Sequence, residues 1–159
     1  MGSNAFLGSK TKFYISDFEH GPYTLLAEVL GVEGLSLIRD VPEVTHLNVT
    51  NKYRSHIGGF RDPGSVNLNL NFTHDTYVIL MDHFEDDDFK WYRIELPNFE
   101  RTIFQFKGLM INCPVVIRTT ESVTCNSSIK LSGAPFFTVP YLVDYNGAYL
   151  VDYNGAMLF

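Results

Sequence analysis

The sequence predicts a mainly β (α+β) fold, a β-sandwich or partial barrel with one α-helix packed on a sheet and completed by oligomerisation. Three observations lead there. Ser65 to Phe72 alternates without a break, with Val66, Leu68, Leu70 and Phe72 against Asn67, Asn69 and Asn71. A single segment, Asp75 to Phe84, carries helical periodicity. Aromatic residues reach 14% while charged residues stay at 19% of the 159 residues, below the usual quarter. That composition excludes general disorder, which requires low hydrophobicity and high charge.

Taken in chain order, residues 1–20 read as an N-terminal arm and 21–137 as the β domain. Tyr23 to Val29 alternates and ends near Gly31, which predicts a strand. Val44 to Val49 is a candidate short strand. A polar, glycine-containing stretch follows over residues 50–61 and is long for a loop inside a compact domain. It holds Lys52, Arg54 and Arg61, a quarter of the 12 basic residues. Asp62-Pro63-Gly64-Ser65 then reads as a tight turn, Pro fixing φ and Gly permitting a positive one.

In the helix, Tyr77, Leu80, Met81 and Phe84 recur at three- and four-residue spacing and form the expected packing stripe. Asp75 suits the N-terminus as a cap and as a partner of the dipole. Glu85-Asp86-Asp87-Asp88 is unfavourable at a helix C-terminus, so the helix should stop by Phe84 and the acidic run should be a solvated loop. Strands resume at Trp91–Leu96, Arg101–Ile111, Val115–Arg118 and Val123–Ser132, with Gly108 marking a bulge or bend. Residues 138–159 form a C-terminal arm. In it Tyr-Leu-Val-Asp-Tyr-Asn-Gly-Ala, residues 141–148, is repeated unchanged over 149–156. An exact repeat points to a segment that tolerates changes of length.

The chemistry is sparse. Twelve Lys and Arg against 18 Asp and Glu give −6, a sign that argues against a general nucleic-acid binder. No apolar run reaches the 18 residues that a membrane helix needs. Cys113 and Cys125 lack metal-ligand spacing and read as reduced core residues. No nucleophile elbow, P-loop or dinucleotide fingerprint is present, and no acid–base pair can be placed, so neither an enzyme nor a cofactor is expected. A ligand-binding barrel of lipocalin type is the main rival, with Trp91, Tyr92, Phe104 and Phe106 as pocket walls.

The ordered set of motifs resembles the tail tube proteins of long-tailed bacteriophages. It runs from the long loop and the turn-strand Phe60–Phe72 through the helix and the strand Trp91–Pro97. Thr102-Ile103-Phe104-Gln105-Phe106-Lys107-Gly108 follows, and Ser122–Pro135 closes the series. The resemblance implies a structural virion protein whose sixfold rings stack into a hollow tube. Thr50, Asn51, Lys52, Tyr53, Arg54, Ser55, His56, Ile57, Phe60 and Arg61 would then form a ring-stacking loop. Asn67, Asn69 and Asn71 would face the lumen, and the helix would lie on the outer side. It further implies self-association, tape-measure and terminator proteins as partners, synthesis in the host bacterial cytoplasm, and no membrane. DNA would pass through without specific binding. Baseplate or terminator subunits of the same fold are the alternative within that family of structures.

Overall fold

The computed structural model describes residues 8–26, 29–45, 53–98 and 101–138. Within them the strands are β1 (Lys12–Ser16), β2 (Thr24–Leu26), β3 (Val29–Gly34), β4 (Ile38–Arg39), β5 (Arg61–Asp62), β6 (Ser65–Asn71), β7 (Lys90–Glu95), β8 (Ile103–Asn112), β9 (Val115–Val116), β10 (Thr124–Leu131) and β11 (Phe136–Thr138); the helix is α1 (His74–Glu85). One antiparallel sheet runs β2-β1-β7-β8-β10-β6-β3, with β9 on β10 and β11 on β8, while β4 and β5 form a separate ribbon.

Alternation dictates which face is apolar. Phe13, Ile15, Tyr92, Ile94, Phe106, Met110, Ile129, Val66, Leu68 and Leu70 all belong to one buried cluster with Leu80 of α1. The two ends of the sheet therefore curl towards each other around a shared core. A cleft of about 510 Å³ opens between them, lined by Val29, Val32 and Val66 of β3 and β6 on one side and by Ile94, Leu96 and Phe104, in or next to β7 and β8, on the other. The chain contrives the closure economically, because the two edge strands β2 and β3 are near neighbours in sequence. The expected strand Tyr23–Val29 is thus two strands, one pairing β1 and the other β6.

The second corner is β8. Its first half pairs β7 and its second half pairs β10, and the two ladders meet at Gly108. A Cβ there would lie 2.6 Å from Ile129 Cγ2 and 2.8 Å from the Lys130 carbonyl oxygen, so the position is closed to larger residues. The bulge expected at Gly108 sits further on, where the β8–β10 register shifts between Ser128 and Ile129.

Two expectations need correction at this level. The arm assigned to residues 1–20 contains β1, an interior strand whose Phe13 is fully buried. Five residues with two inward apolar side chains are too short to stand out in sequence, and pairing with β2 and β7 is what makes them a strand. The helix is capped by Thr73, whose side chain accepts from the Thr76 N–H, and Asp75 serves only in the first turn. The helix ends at Glu85 with Asp86 as its C-cap. Asp86 is also bridged to Lys90, which reaches Asp17 at 2.8 Å, so the second carboxylate of the run Glu85–Asp88 is a structural tie.

Candidate functional site

Three surfaces carry what the core does not use. The first is the polar face of β6 and its neighbours. Asn67 and Asn69 are exposed and Asn71 half-buried, while Val66, Leu68 and Leu70 between them are buried. Across the ladders Asn67 stands opposite Ser128, Asn69 opposite Asn126, and Asn71 opposite Thr124. Asn112 of β8 continues the first row beside Ser128. The Ser128 hydroxyl donates to Asn67 Oδ1 at 2.7 Å, and the Ser128 N–H donates to Asn112 Oδ1 at 3.0 Å. The Ser122 hydroxyl donates to Asn71 Oδ1 at 3.3 Å. The surface is lined mainly by neutral groups that both donate and accept, with the exposed Glu33 of β3, opposite Asn67, as a carboxylate among them. At its rim Lys130 Nζ is held 3.0 Å from Asp62 Oδ1, and the Gly64 N–H, followed by Lys130, lowers the Asp62 carboxyl below its usual range. Asn112, Asn126 and Ser128 extend the face beyond the three asparagines expected. Their alternation along Thr124–Leu131 was the signal for the last two.

The second surface is a projecting β-hairpin. The stretch expected as a loop over residues 50–61 is instead the returning half of a ribbon, for residues 53–61. Ile38 pairs Asp62 and Arg39 pairs Arg61. Beyond them the ladder continues from the Asp40 N–H to the Phe60 carbonyl, the Ile57 N–H to the Pro42 carbonyl, and the Val44 N–H to the Ser55 carbonyl. His56 bridges Glu43, and Glu43 also meets Arg54 at 3.5 Å. The Ser55 N–H donates to Thr45 Oγ1 at 2.9 Å. Thr50, Asn51 and Lys52, together with most of the candidate strand Val44–Val49, lie outside the described residues. The ribbon exposes Leu37, Ile38, Val41, Val44, Tyr53, Ile57 and Phe60, the last 90% accessible. Two strands alone are marginal in water, and so large an apolar display on them calls for a covering surface.

The third is an open strand edge. After β10 the chain passes Gly133 at φ +79 and rejoins β8 as β11, with Phe136 opposite Gln105 and Thr138 opposite Ile103. Phe136 and Phe137 are exposed, although Phe136 stacks on Trp91 and Phe137 packs at a tilt against Phe104. The domain boundary expected at residue 137 falls one residue short of the end of this strand, and no expectation singled out its phenylalanines. The doubled segment 141–156 lies outside the described residues.

The helix faces away from the amide surface, packed on the core side. Of its expected stripe only Leu80 is fully buried. Tyr77 and Met81 are half-buried and Phe84 is exposed, while Thr76 and His83 take the inward positions. The inward face is set by the core the helix meets, where the His83 ring lies 6.1 Å from that of Tyr92. Burial holds the His83 imidazole below its ordinary pKa.

The lipocalin-type pocket is not assembled. Tyr92 and Phe106 are buried in the core, Trp91 points to the opposite face, and only Phe104 reaches the cleft between the sheet ends.

Comparison with known proteins agrees with this geometry. The tail of an empty gene transfer agent particle, resolved with C6 symmetry, superposes with a TM-score of 0.70 at 19% identity, over 84% of this chain and 99% of that one. The SPP1 tail tube gives 0.57 at 12% identity, over 84% and 78%. The sheath/tube terminator of an extracellular contractile injection system gives 0.65 at 8%, over 84% and 96%. A comparison with curated protein sequences returns no match. The family described as lambda phage tail tube protein (TTP) matches residues 6–138. With a mainly β fold, one helix and a family match spanning the whole described sheet, the chain belongs to the lambda phage tail tube protein family and is a structural component of the phage tail.

Proposed function

We propose that this chain closes into hexameric rings that stack into the tube, with no catalytic role. The amide face lines the lumen, α1 lies outside, and the hairpin reaches the adjoining ring. The observation that carries the reading is the hairpin, whose Leu37, Ile38, Val41, Val44, Ile57 and Phe60 stand exposed among the described residues. A second copy supplies their cover. Four strands, β3, β6, β10 and the end of β8, present the amide face, and rings of such sheets would make one continuous inner wall. The open edge of β11 offers backbone groups to a neighbour in the ring by strand addition. The sixfold symmetry of the gene transfer agent tail supports the ring number.

An inner wall must let DNA slide. Each Lys or Arg contact to phosphate adds roughly 0.9 to the salt slope of binding, so a neutral, hydrated wall releases DNA where a basic one would hold it. Tape-measure and terminator proteins are the further partners of this reading, and the subunit is made in the host cytoplasm before assembly.

The test is particle size against concentration, followed by negative-stain imaging of the purified protein. Hollow filaments or stacked rings are expected. A monodisperse monomer at high concentration would contradict ring closure, and single rings that never stack would favour a terminator role.

A further inference from the structure

One pair of side chains has no part in the assembly surfaces. Cys113 follows β8, and Cys125 lies in β10 with its side chain in the core. Both are thiols, and their sulfur atoms stand 3.1 Å apart. The Ser127 hydroxyl donates to Cys113 Sγ at 3.3 Å and lies 3.7 Å from Cys125 Sγ, so the three groups form one small cluster inside an apolar corner. The backbone brings them there: Val115 pairs Cys125, and the Asn126 N–H donates to the Pro114 carbonyl.

We propose that Cys113 and Cys125 are a dithiol that closes to an intramolecular disulfide when the protein meets a low-molecular-weight disulfide such as oxidised glutathione. Approach is asymmetric. Cys113 is half-buried, whereas Cys125 is 2% accessible. Burial pushes the Cys125 thiol up to about 11, with the Cys113 contact adding to it, so Cys125 is a poor first nucleophile. Cys113 therefore reacts first. Its thiol gives its proton to water, and the thiolate attacks one sulfur of the glutathione disulfide. That S–S bond breaks, and one glutathione leaves as a thiolate that takes up a proton. Cys125 then loses its proton and attacks Cys113 Sγ, expelling the second glutathione. Two protein thiols are oxidised to one disulfide, and one small disulfide is reduced to two thiols.

Closing from 3.1 Å to a bond of about 2.05 Å requires a shift of roughly 1 Å. The bond would fasten the end of β8 to β10 and tether the exposed segment between them, including Ile117 and Ser122. It would lie under the end of the amide face. The consequence is a subunit that folds with free thiols under reducing conditions and stiffens on oxidation.

The experiment treats the purified full-length protein with oxidised glutathione, blocks residual thiols in denaturant, and maps unreduced peptides by mass spectrometry. A Cys113–Cys125 linked peptide, lighter by two hydrogens, is expected. The melting temperature should rise by roughly 5–10 °C and return with dithiothreitol. Cys125→Ser should arrest as a glutathione adduct on Cys113, and Cys113→Ser should give no adduct while folded. Two blockable thiols after treatment, a stable adduct on wild-type Cys113, or a disulfide between subunits would each overturn the proposal.

Discussion

At the scale of single residues, the two informative positions are those where the core tolerates least. Gly108 lies where the ladders of β7 and β10 meet on β8, and an added Cβ would press on Ile129 and on the Lys130 carbonyl. Gly108→Ala should destabilise by about 1–3 kcal/mol through overpacking, read as a lower midpoint in denaturant with an unchanged slope. His83 is the other. Its ring is buried against Tyr92, its Nδ1 has no hydrogen-bond partner among the described residues, and Asp17, Asp82, Asp86 and Lys90 act on it electrostatically. Burial lowers its pKa from the ordinary 6.5, Lys90 works in the same direction, and the three carboxylates oppose it. The folded state then holds fewer protons than the unfolded one just below 6.5, so stability falls as the pH drops through that value. Melting temperature followed from pH 7.5 to 5.5 should decline in the wild type and decline less in His83→Gln. Equal slopes would remove His83 as the cause.

At the scale of elements, legibility followed how local the determining interactions are. β6 was plain because its alternation, its Asp62-Pro63-Gly64 turn and its partner β10 all agree; Gly64 takes φ +76 and donates to Asp62 Oδ1 at 2.8 Å. The amide face was legible for the same reason. The hairpin was not, since residues 53–62 become a strand only through pairing with Ile38–Thr45, and neither half alternates cleanly. β1 and β11 likewise owe their existence to partners distant in sequence. The helix was legible in extent, but its inward face was set by the core it meets. Leu80→Ala should cost about 2–5 kcal/mol, because the side chain is fully buried, whereas Phe84→Ala on the exposed face should cost far less. None of the hairpin's described residues, 37–45 and 53–62, by contrast, belongs to the buried cluster. Replacing residues 41–58 by a short Asn-Gly turn between Asp40 and Gly59, whose N–H already donates to the Asp40 carbonyl, should leave circular dichroism and melting nearly unchanged. Tubes should be absent by electron microscopy. Tubes of normal length from this variant would dissociate the hairpin from stacking.

At the scale of the whole molecule, the distribution of charge decides what the inner wall can be. The chain carries −6 overall, and its amide face holds no free cation among the described residues: Lys130 at the rim is tied to Asp62, and the exposed Glu33 of β3, opposite Asn67, adds a carboxylate. The strand ladder fixes Asn67, Asn69 and Asn126 on that one face, with Asn69 directly opposite Asn126. Net negative charge alone would keep DNA off any surface of the protein. A face made mostly of amides does something narrower: it offers phosphate no free cation to hold. The two explanations separate on mutation. Asn67→Lys, Asn69→Lys and Asn126→Lys combined would change the total charge by three units and leave the protein acidic, so a global effect predicts continued indifference to duplex DNA. A local effect predicts retardation of DNA by the unassembled triple variant at low salt, with the slope of log affinity against log salt steeper by about 0.9 for each phosphate contact made. The same three lysines placed on the opposite, helix-bearing side should bind DNA comparably in the free subunit but leave the tube's interior unchanged. DNA release from assembled particles would then slow only when the lysines occupy the amide face, and equal release from both variants would move the lumen elsewhere.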